Sequence, residues 1–202
     1  MKEWLSQYGY LLIVFAVMLI VTLVIFYFAV RAYSNHNRTF RKHEEEMKRL
    51  ISLKEKYLNF TPEILSENKD EELLEGVALS YQIRIQRQGD SEKAFEEMNE
   101  EKKNIYVLDV FCCDNDVRIF FSQNGEIVKG RIIRALEMIG MEDFAHRLEN
   151  IALMYDDRNE DVSYSEKAID EMQDYITENG ILSVIKLKSA EYIKNNYEVL
   201  KN

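Results

Sequence analysis

From Leu11 to Val30 the chain runs through twenty residues in which Thr22 is the only polar side chain that is not aromatic. An α-helix of that length rises about 30 Å, the thickness of a bilayer hydrocarbon core. Trp4, Tyr8 and Tyr10 precede the run, and Tyr27 and Tyr33 lie near its end, where amphipathic rings suit the two membrane interfaces. A cleaved signal peptide is the competing reading. It needs a basic start, an apolar stretch of about 7–15 residues and a small-x-small cleavage site. Here the start is nearly neutral and the run is too long, so a transmembrane helix over residues 9–30 is expected, in contact with the lipid bilayer.

Charge sets the expected orientation. Only Lys2 precedes the run, whereas Arg31, Arg38, Arg41, Lys42, Lys48 and Arg49 follow it. Positively charged flanks stay on the cytoplasmic side, so the N-terminus is expected outside the cell membrane and the rest of the chain in the cytoplasm. The same flank has the chemistry to touch anionic headgroups, or serves only as a topology signal. Asn37-Arg38-Thr39 and Asn59-Phe60-Thr61 match the glycosylation pattern, which a cytoplasmic domain does not use.

The whole chain carries −10, residues 1–42 carry +4, and the remainder therefore carries −14. An acidic domain lacks the clustered Lys and Arg that neutralise phosphates, so direct nucleic-acid binding is not expected and a basic protein partner is. One Pro and seven Gly are too few for the turns of an all-β fold. The expected fold is all-α, an N-terminal transmembrane helix followed by a compact multi-helix domain. Residues 1–33 hold the anchor, 34–60 a charged helical linker continuous with it in pattern, and 61–202 the acidic domain.

Within that domain Thr61-Pro62 opens a short helix through Leu65. Asp70 to Gln88 forms the next, with Leu73, Leu74, Val77, Ala78 and Tyr81 on one face and Gly89 as its stop. Ser91 opens an acidic helix. Lys102 to Cys113 has a wide apolar face. Its Ile105–Leu108 stretch also reads as a strand, but the Glu/Lys-rich lead-in and the lack of turn signals favour helix. Val117 to Ser122 is a short apolar piece broken by Asn124-Gly125. Glu126 to Ile139 reads as one continuous helix, the clearest in the domain, joined to Glu142–Tyr155 by a tight turn at Gly140. An acidic loop spans 156–161. Ser163 or Ser165 then caps a helix through Thr177, and Ile181 to Leu200 is the last helix.

Motifs for chemistry fail on inspection. His43-Glu44-Glu45-Glu46 lacks the second His of a metalloprotease helix, since Met47 stands there. Gly125 and Gly130 have phosphate-loop spacing, but Arg131-Ile132 replaces the Lys and Ser/Thr, and close packing is the simpler account of Gly130. Cys112-Cys113 has no basic neighbour in sequence to lower a thiol pKa, and Asp114 and Asp116 would raise it, so Cys112 reads as a small core residue. The loop after Tyr155 lacks the spacing of a calcium site. No cofactor, no metal and no catalytic residue is expected, and a hydrolase reading ranks low.

One stretch does resemble a family. Tyr106-Val107-Leu108-Asp109, Asp114-Asn115-Asp116, Phe120-Phe121-Ser122-Gln123-Asn124-Gly125 and Ala135-Leu136-Glu137-Met138-Ile139-Gly140 together resemble the C-terminal-like branch of the bacterial DNA-mimic protein domain family. The resemblance covers about residues 61–180, and its specific part is 106–140. It departs at the signature turn, where Asp114-Asn115-Asp116-Val117 stands in place of a double Gly, and in the added anchor. It implies an all-helical domain whose surface carboxylates stand in for DNA phosphates and occupy a nucleic-acid-binding protein. Glu96, Glu97, Glu100, Asp156, Asp157, Glu160 and Asp161 are the acids that would form such a surface. Two functions are therefore expected in order: a membrane-anchored, non-enzymatic interaction domain, and a DNA mimic held at the membrane.

Overall fold

The structure, a computed structural model, describes residues 2–67, 69–156 and 162–201. Within the first helix it describes the side chains of 14, 15, 17–19, 21–24, 26, 27 and of 40 onward. Helix is the regular secondary structure of the described residues, with no strand, and they divide into two compact units, Met1–Ile51 and Ser52–Asn202. The helical reading of Ile105–Leu108 is the one adopted.

The first unit is the body of α1 (Lys2–Tyr57). Its described side chains between Val14 and Tyr27 are exposed, among them Phe15 at 67%, Met18 at 66% and Phe26 at 66%. The Thr22 hydroxyl donates to the carbonyl of Met18 at 2.8 Å, so the one non-aromatic polar group of the run is satisfied inside the helix. Farther on, Glu44 pairs with Lys48 at 2.7 Å and Glu46 with Arg49 at 2.8 Å, spacings that place opposite charges on one helical face. Among the described residues no helix is long and apolar enough to cross a membrane. Leu11, Leu12, Ile13, Ala16, Ile20, Ile25, Phe28, Ala29 and Val30 have side chains outside that description.

The second unit begins in the last turn of α1. Leu53, Tyr57 and Phe60 are buried with the domain core, so that core reaches upstream of residue 61. There follow α2 (Pro62–Glu67), α3 (Asp70–Arg87), α4 (Ser91–Glu96), α5 (Glu100–Asp114), α6 (Val117–Gln123), α7 (Glu126–Lys129), α8 (Ile132–Met138), α9 (Glu142–Met154), α10 (Glu166–Glu178), α11 (Ile181–Asn195) and α12 (Tyr197–Leu200). The α3 helix packs on α11 and α5, α5 also on α8, and α8 on α9. The predicted apolar face of α3 is the buried one, from Leu73 through Tyr81.

Four helix starts follow from side-chain caps that satisfy orphan amides. Asp90 accepts from the Lys93 amide at 3.1 Å, Asn99 from Lys102 at 2.9 Å, Asp116 from Arg118 at 2.7 Å and Ser165 from Ala168 at 3.4 Å. At the turn after α5, Asn115 takes the left-handed conformation, φ 52°, that a glycine would otherwise supply. Gln173 brackets that turn, accepting from the Val117 amide at 3.0 Å and donating to the Asn115 carbonyl at 3.2 Å. The Gly140 turn is a Schellman motif. The Gly140 amide bonds the Glu137 carbonyl at 2.9 Å, the Met141 amide bonds that of Leu136 at 3.0 Å, and Gly140 sits at φ 71°.

Two elements differ from expectation. The helix read over 126–139 is broken into α7 and α8 at Gly130-Arg131. The Arg131 amide closes a three-residue bond to the Val128 carbonyl at 3.1 Å, and the Gly130 amide caps α7 on Glu126 at 3.0 Å. Gly130 is thus a helix end rather than a packing site within one. The last helix likewise ends at Asn195, and Asn196 starts the separate turn of α12.

Gly76 explains itself by contact. A Cβ built there would lie 2.4 Å from Cδ2 of Tyr57, whose ring is fully buried. Alanine at an ordinary helix-interior glycine raises stability by about 1 kcal/mol. Here Gly76→Ala forces the Tyr57 ring aside and is expected to lower stability by about 1–3 kcal/mol. Urea unfolding of the purified chain measures this, and a midpoint equal to or above that of the wild type refutes the packing account.

Candidate functional site

The break at Gly130 opens the surface on both sides of α7. On one side lies a cleft of 640 Å³. Its floor is apolar, with Phe121, Ile127, Ile133, Ala152, Leu153 and Tyr155, and Glu126, Glu149 and Asp156 stand at its margin. Glu126 and Glu149 side chains are 65% and 55% exposed, so their carboxylates meet solvent. Among the described residues Lys129 is the one basic residue of this wall. Its ammonium is already held by Glu126 at 2.5 Å and by the Tyr155 carbonyl at 3.3 Å, with only 15% of the side chain exposed. Lys129 therefore acts as a tie from α7 to the end of α9, and the described residues of the cleft margin keep a negative excess.

The floor is stiffened by an unbroken series of rings. Phe144 lies 6.3 Å from Phe111, Phe111 5.1 Å from Phe120, Phe120 5.1 Å from Phe121, and Phe121 stacks on Tyr155 at 5.4 Å. Tyr164 meets Tyr155 edge-on at 5.9 Å. Offset and edge-to-face contacts of this kind add to the burial of the rings themselves. Burial, followed by the neighbouring Tyr164, pushes the Tyr155 phenol up to about 12, so it stays neutral at any physiological pH.

On the other side of α7 is a second cleft of 630 Å³, lined by Glu96 and Glu126 together with Lys103, Arg131 and Arg134. The acids singled out from the sequence fall into different surroundings. Glu100 is clamped by Arg131 at 2.6 Å and by buried Lys103 at 3.0 Å. Those hydrogen bonds hold its carboxyl down at about 2. Glu96 shares the second cleft with the same two cations, Glu97 pairs with Lys93 at 3.9 Å, and Asp156 borders the first cleft. Asp157, Glu160 and Asp161 lie outside the described residues. The described acids thus interleave with bases instead of forming one group.

A further polar cluster was not foreseen. Asp109, on α5, lies among Glu75 of α3, Lys186 of α11 and the Cys113 thiol, which donates to it. Burial, then the charge of Glu75, pushes the Asp109 carboxyl up to about 7 against the opposing pull of Lys186 and Cys113. Cys112 is buried as expected, and burial followed by Asp109 pushes its thiol up to about 12. The carboxylate acting on Cys112 is therefore Asp109, one turn back, while Asp114 raises the neighbouring Cys113 thiol as expected, after burial, Asp109 and Glu75, and Lys186 supplies a basic neighbour the sequence order hides. The only hint in the sequence was the spacing of Asp109 and Cys113, one helical turn apart within an apolar face. Among the described residues no group of His, Cys, Asp and Glu is arranged to hold a metal ion.

No known protein family, no characterised protein and no solved structure matches the chain.

Asp109 makes stability pH-dependent with a definite sign. Its folded pKa of about 7 exceeds its ordinary value of 3.8, so between those limits the folded state binds more protons than the unfolded one. Its contribution is full below pH 3.8 and is lost as pH rises through about 7. Asp109→Asn keeps the site neutral, and is expected to gain about 4 kcal/mol over the wild type at pH 8 and less than about 1 kcal/mol at pH 4. Equal differences at both pH values in chemical unfolding would exclude a half-buried, proton-retaining Asp109.

Proposed function

We propose that the chain is a membrane-anchored, non-enzymatic interaction protein: the N-terminal part of α1 is its single bilayer span, and the helical domain presents the α7–α9 cleft to a basic partner. The observation that carries the reading is the run of α1 from Val14 to Tyr27, where every described side chain is exposed and all but the internally bonded Thr22 and the interfacial Tyr27 are apolar. A helix apolar on all its faces has no stable place in water. The remaining positions of the same run are also apolar in sequence. The basic flank after the run supports a cytoplasmic side for the domain.

The cleft supports a particular partner chemistry. An apolar floor rigid enough to receive side chains, margined by Glu126, Glu149 and Asp156, suits a short amphipathic segment with aliphatic anchors on one face and Lys or Arg beside them. DNA mimicry is the weaker reading. A mimic needs a continuous track of carboxylates, and here Lys103, Arg131 and Lys93 sit among Glu96, Glu97 and Glu100. Nor is Asp109 a wall of either cleft beside α7, which gives the hydrolase reading no desolvated acid facing a cavity there.

Alkaline extraction of membranes carrying the full chain is expected to leave it in the lipid pellet, and removal of residues 1–42 to release it. Release of the full chain would end the anchoring reading. For the cleft, an amphipathic Leu/Lys peptide is expected to bind saturably and to lose about 3- to 10-fold in affinity with the pair Glu126→Gln and Glu149→Gln, the loss shrinking at high salt. Unchanged affinity in that pair would discard the cleft as the contact surface.

A further inference from the structure

A smaller cleft of 310 Å³ lies away from α7, between the end of α3, the end of α4 and the start of α5. Arg84 and Gln88 reach it from α3, Glu97 from the end of α4, and Lys102 from the first turns of α5. Several other bases of the domain are matched with acids: Lys103 and Arg131 with Glu100, Arg118 with Asp170, Lys194 with Asp70, Lys201 with Glu198. Among the described residues the side chains of Arg84 and Lys102 have no such acid. The Lys102 ammonium instead lies 6.0 Å over the ring of Tyr81. Burial, and for Lys102 then the charge of Arg84, pulls both cations below their usual pKa range. In a chain of net charge −10, acids to neutralise them are abundant, and the fold leaves this pair facing a cavity.

The other walls are already committed and hold the cleft in shape. The Tyr81 hydroxyl donates to the Leu200 carbonyl at 2.8 Å, and Asn99 bonds the Lys102 amide at 2.9 Å and the Val199 carbonyl at 3.0 Å. The mouth therefore does not depend on the ligand for its form. An Arg fork and a Lys point charge on two different helices are the pair that recognises a tetrahedral oxyanion. Glu97 at the same cleft, itself 3.9 Å from Lys93, disfavours a bare multivalent anion and favours one bearing a hydroxyl that the carboxylate can accept.

We propose that the cleft between α3, α4 and α5 is a binding site for a small phosphate-class oxyanion, gripped by Arg84 and Lys102, with Glu97 accepting from a hydroxyl of the molecule that carries it. The site is independent of the α7–α9 cleft and of the anchoring reading. Its volume admits a phosphate with a small organic group.

Isothermal titration of the full chain in non-ionic detergent, at constant ionic strength, tests it with inorganic phosphate and with glycerol 3-phosphate. Both are expected to bind saturably, glycerol 3-phosphate more tightly. Arg84→Ala or Lys102→Ala is expected to weaken binding at least tenfold, whereas Lys167→Ala, which removes an exposed base on α10 outside the cleft, leaves it unchanged. Arg84→Lys and Lys102→Arg keep the charge and guard against misfolding, and each is expected to retain part of the affinity. Absence of saturable binding, or an equal loss in Lys167→Ala, overturns the site. Phosphate binding as tight as that of glycerol 3-phosphate overturns the role given to Glu97.

Discussion

The domain is organised around the meeting of the Tyr57 ring with the backbone of α3 at Gly76. A fully buried tyrosine ring comes within a methyl group's width of a helix backbone, and only a residue without a Cβ permits it. The contact aligns the last turn of α1 with α3, and α3 is the helix on which α11 and α5 both pack. Helix propensity alone would place alanine at position 76; close packing outweighs it, because an interior at crystal-like density leaves no room to relax around an added methyl.

From α3 outward the packing divides into an aliphatic part and an aromatic part. Leu73, Leu74, Val77, Ile105, Leu108, Ile185 and Ile193 fill the region shared by α3, α5 and α11. Beyond α5 the rings of Phe111, Phe120, Phe121 and Phe144 take over and lead outward to Tyr155. That arrangement turns a core feature into a surface feature: the last rings of the series are the floor of the 640 Å³ cleft, so its shape is set by the same contacts that hold α6 and α9 to α5.

Much of this could be read from the sequence, and the parts that could not share a cause. The apolar face of α3, the α8–α9 turn at Gly140, the Ser165 cap and the burial of Cys112 all depend on residues within about one helical turn, and local pattern predicts them. The break between α7 and α8 does not. Ile127, Val128, Ile132 and Ile133 continue a helical period, and what interrupts it is Arg131 turning toward Glu100 on α5 and Lys129 reaching to Tyr155, partners 31 and 26 residues away. Both clefts beside α7 follow from that break, so neither was visible. The acidic residues read as one surface suffer the same limit, since their composition was plain and their counter-ions, Arg131 and Lys103 above all, were not. Asp109 likewise looked like one charge among many until α3 and α11 closed over it.

Tyr81, in the middle of α3, donates its hydroxyl to the carbonyl of Leu200, and Asn99, ahead of α5, donates to that of Val199. The first helices of the domain are thus fastened to its last turn, across separations of 119 and 100 residues. On a ribosome the chain emerges in the opposite order. The apolar faces of α3 and α5 leave the exit tunnel long before α11 and α12 exist to cover them, and closing so long a loop is slow by its nature. The nascent domain waits with those faces open, and the interval before α11 and α12 are made is when this protein most needs a chaperone's protection.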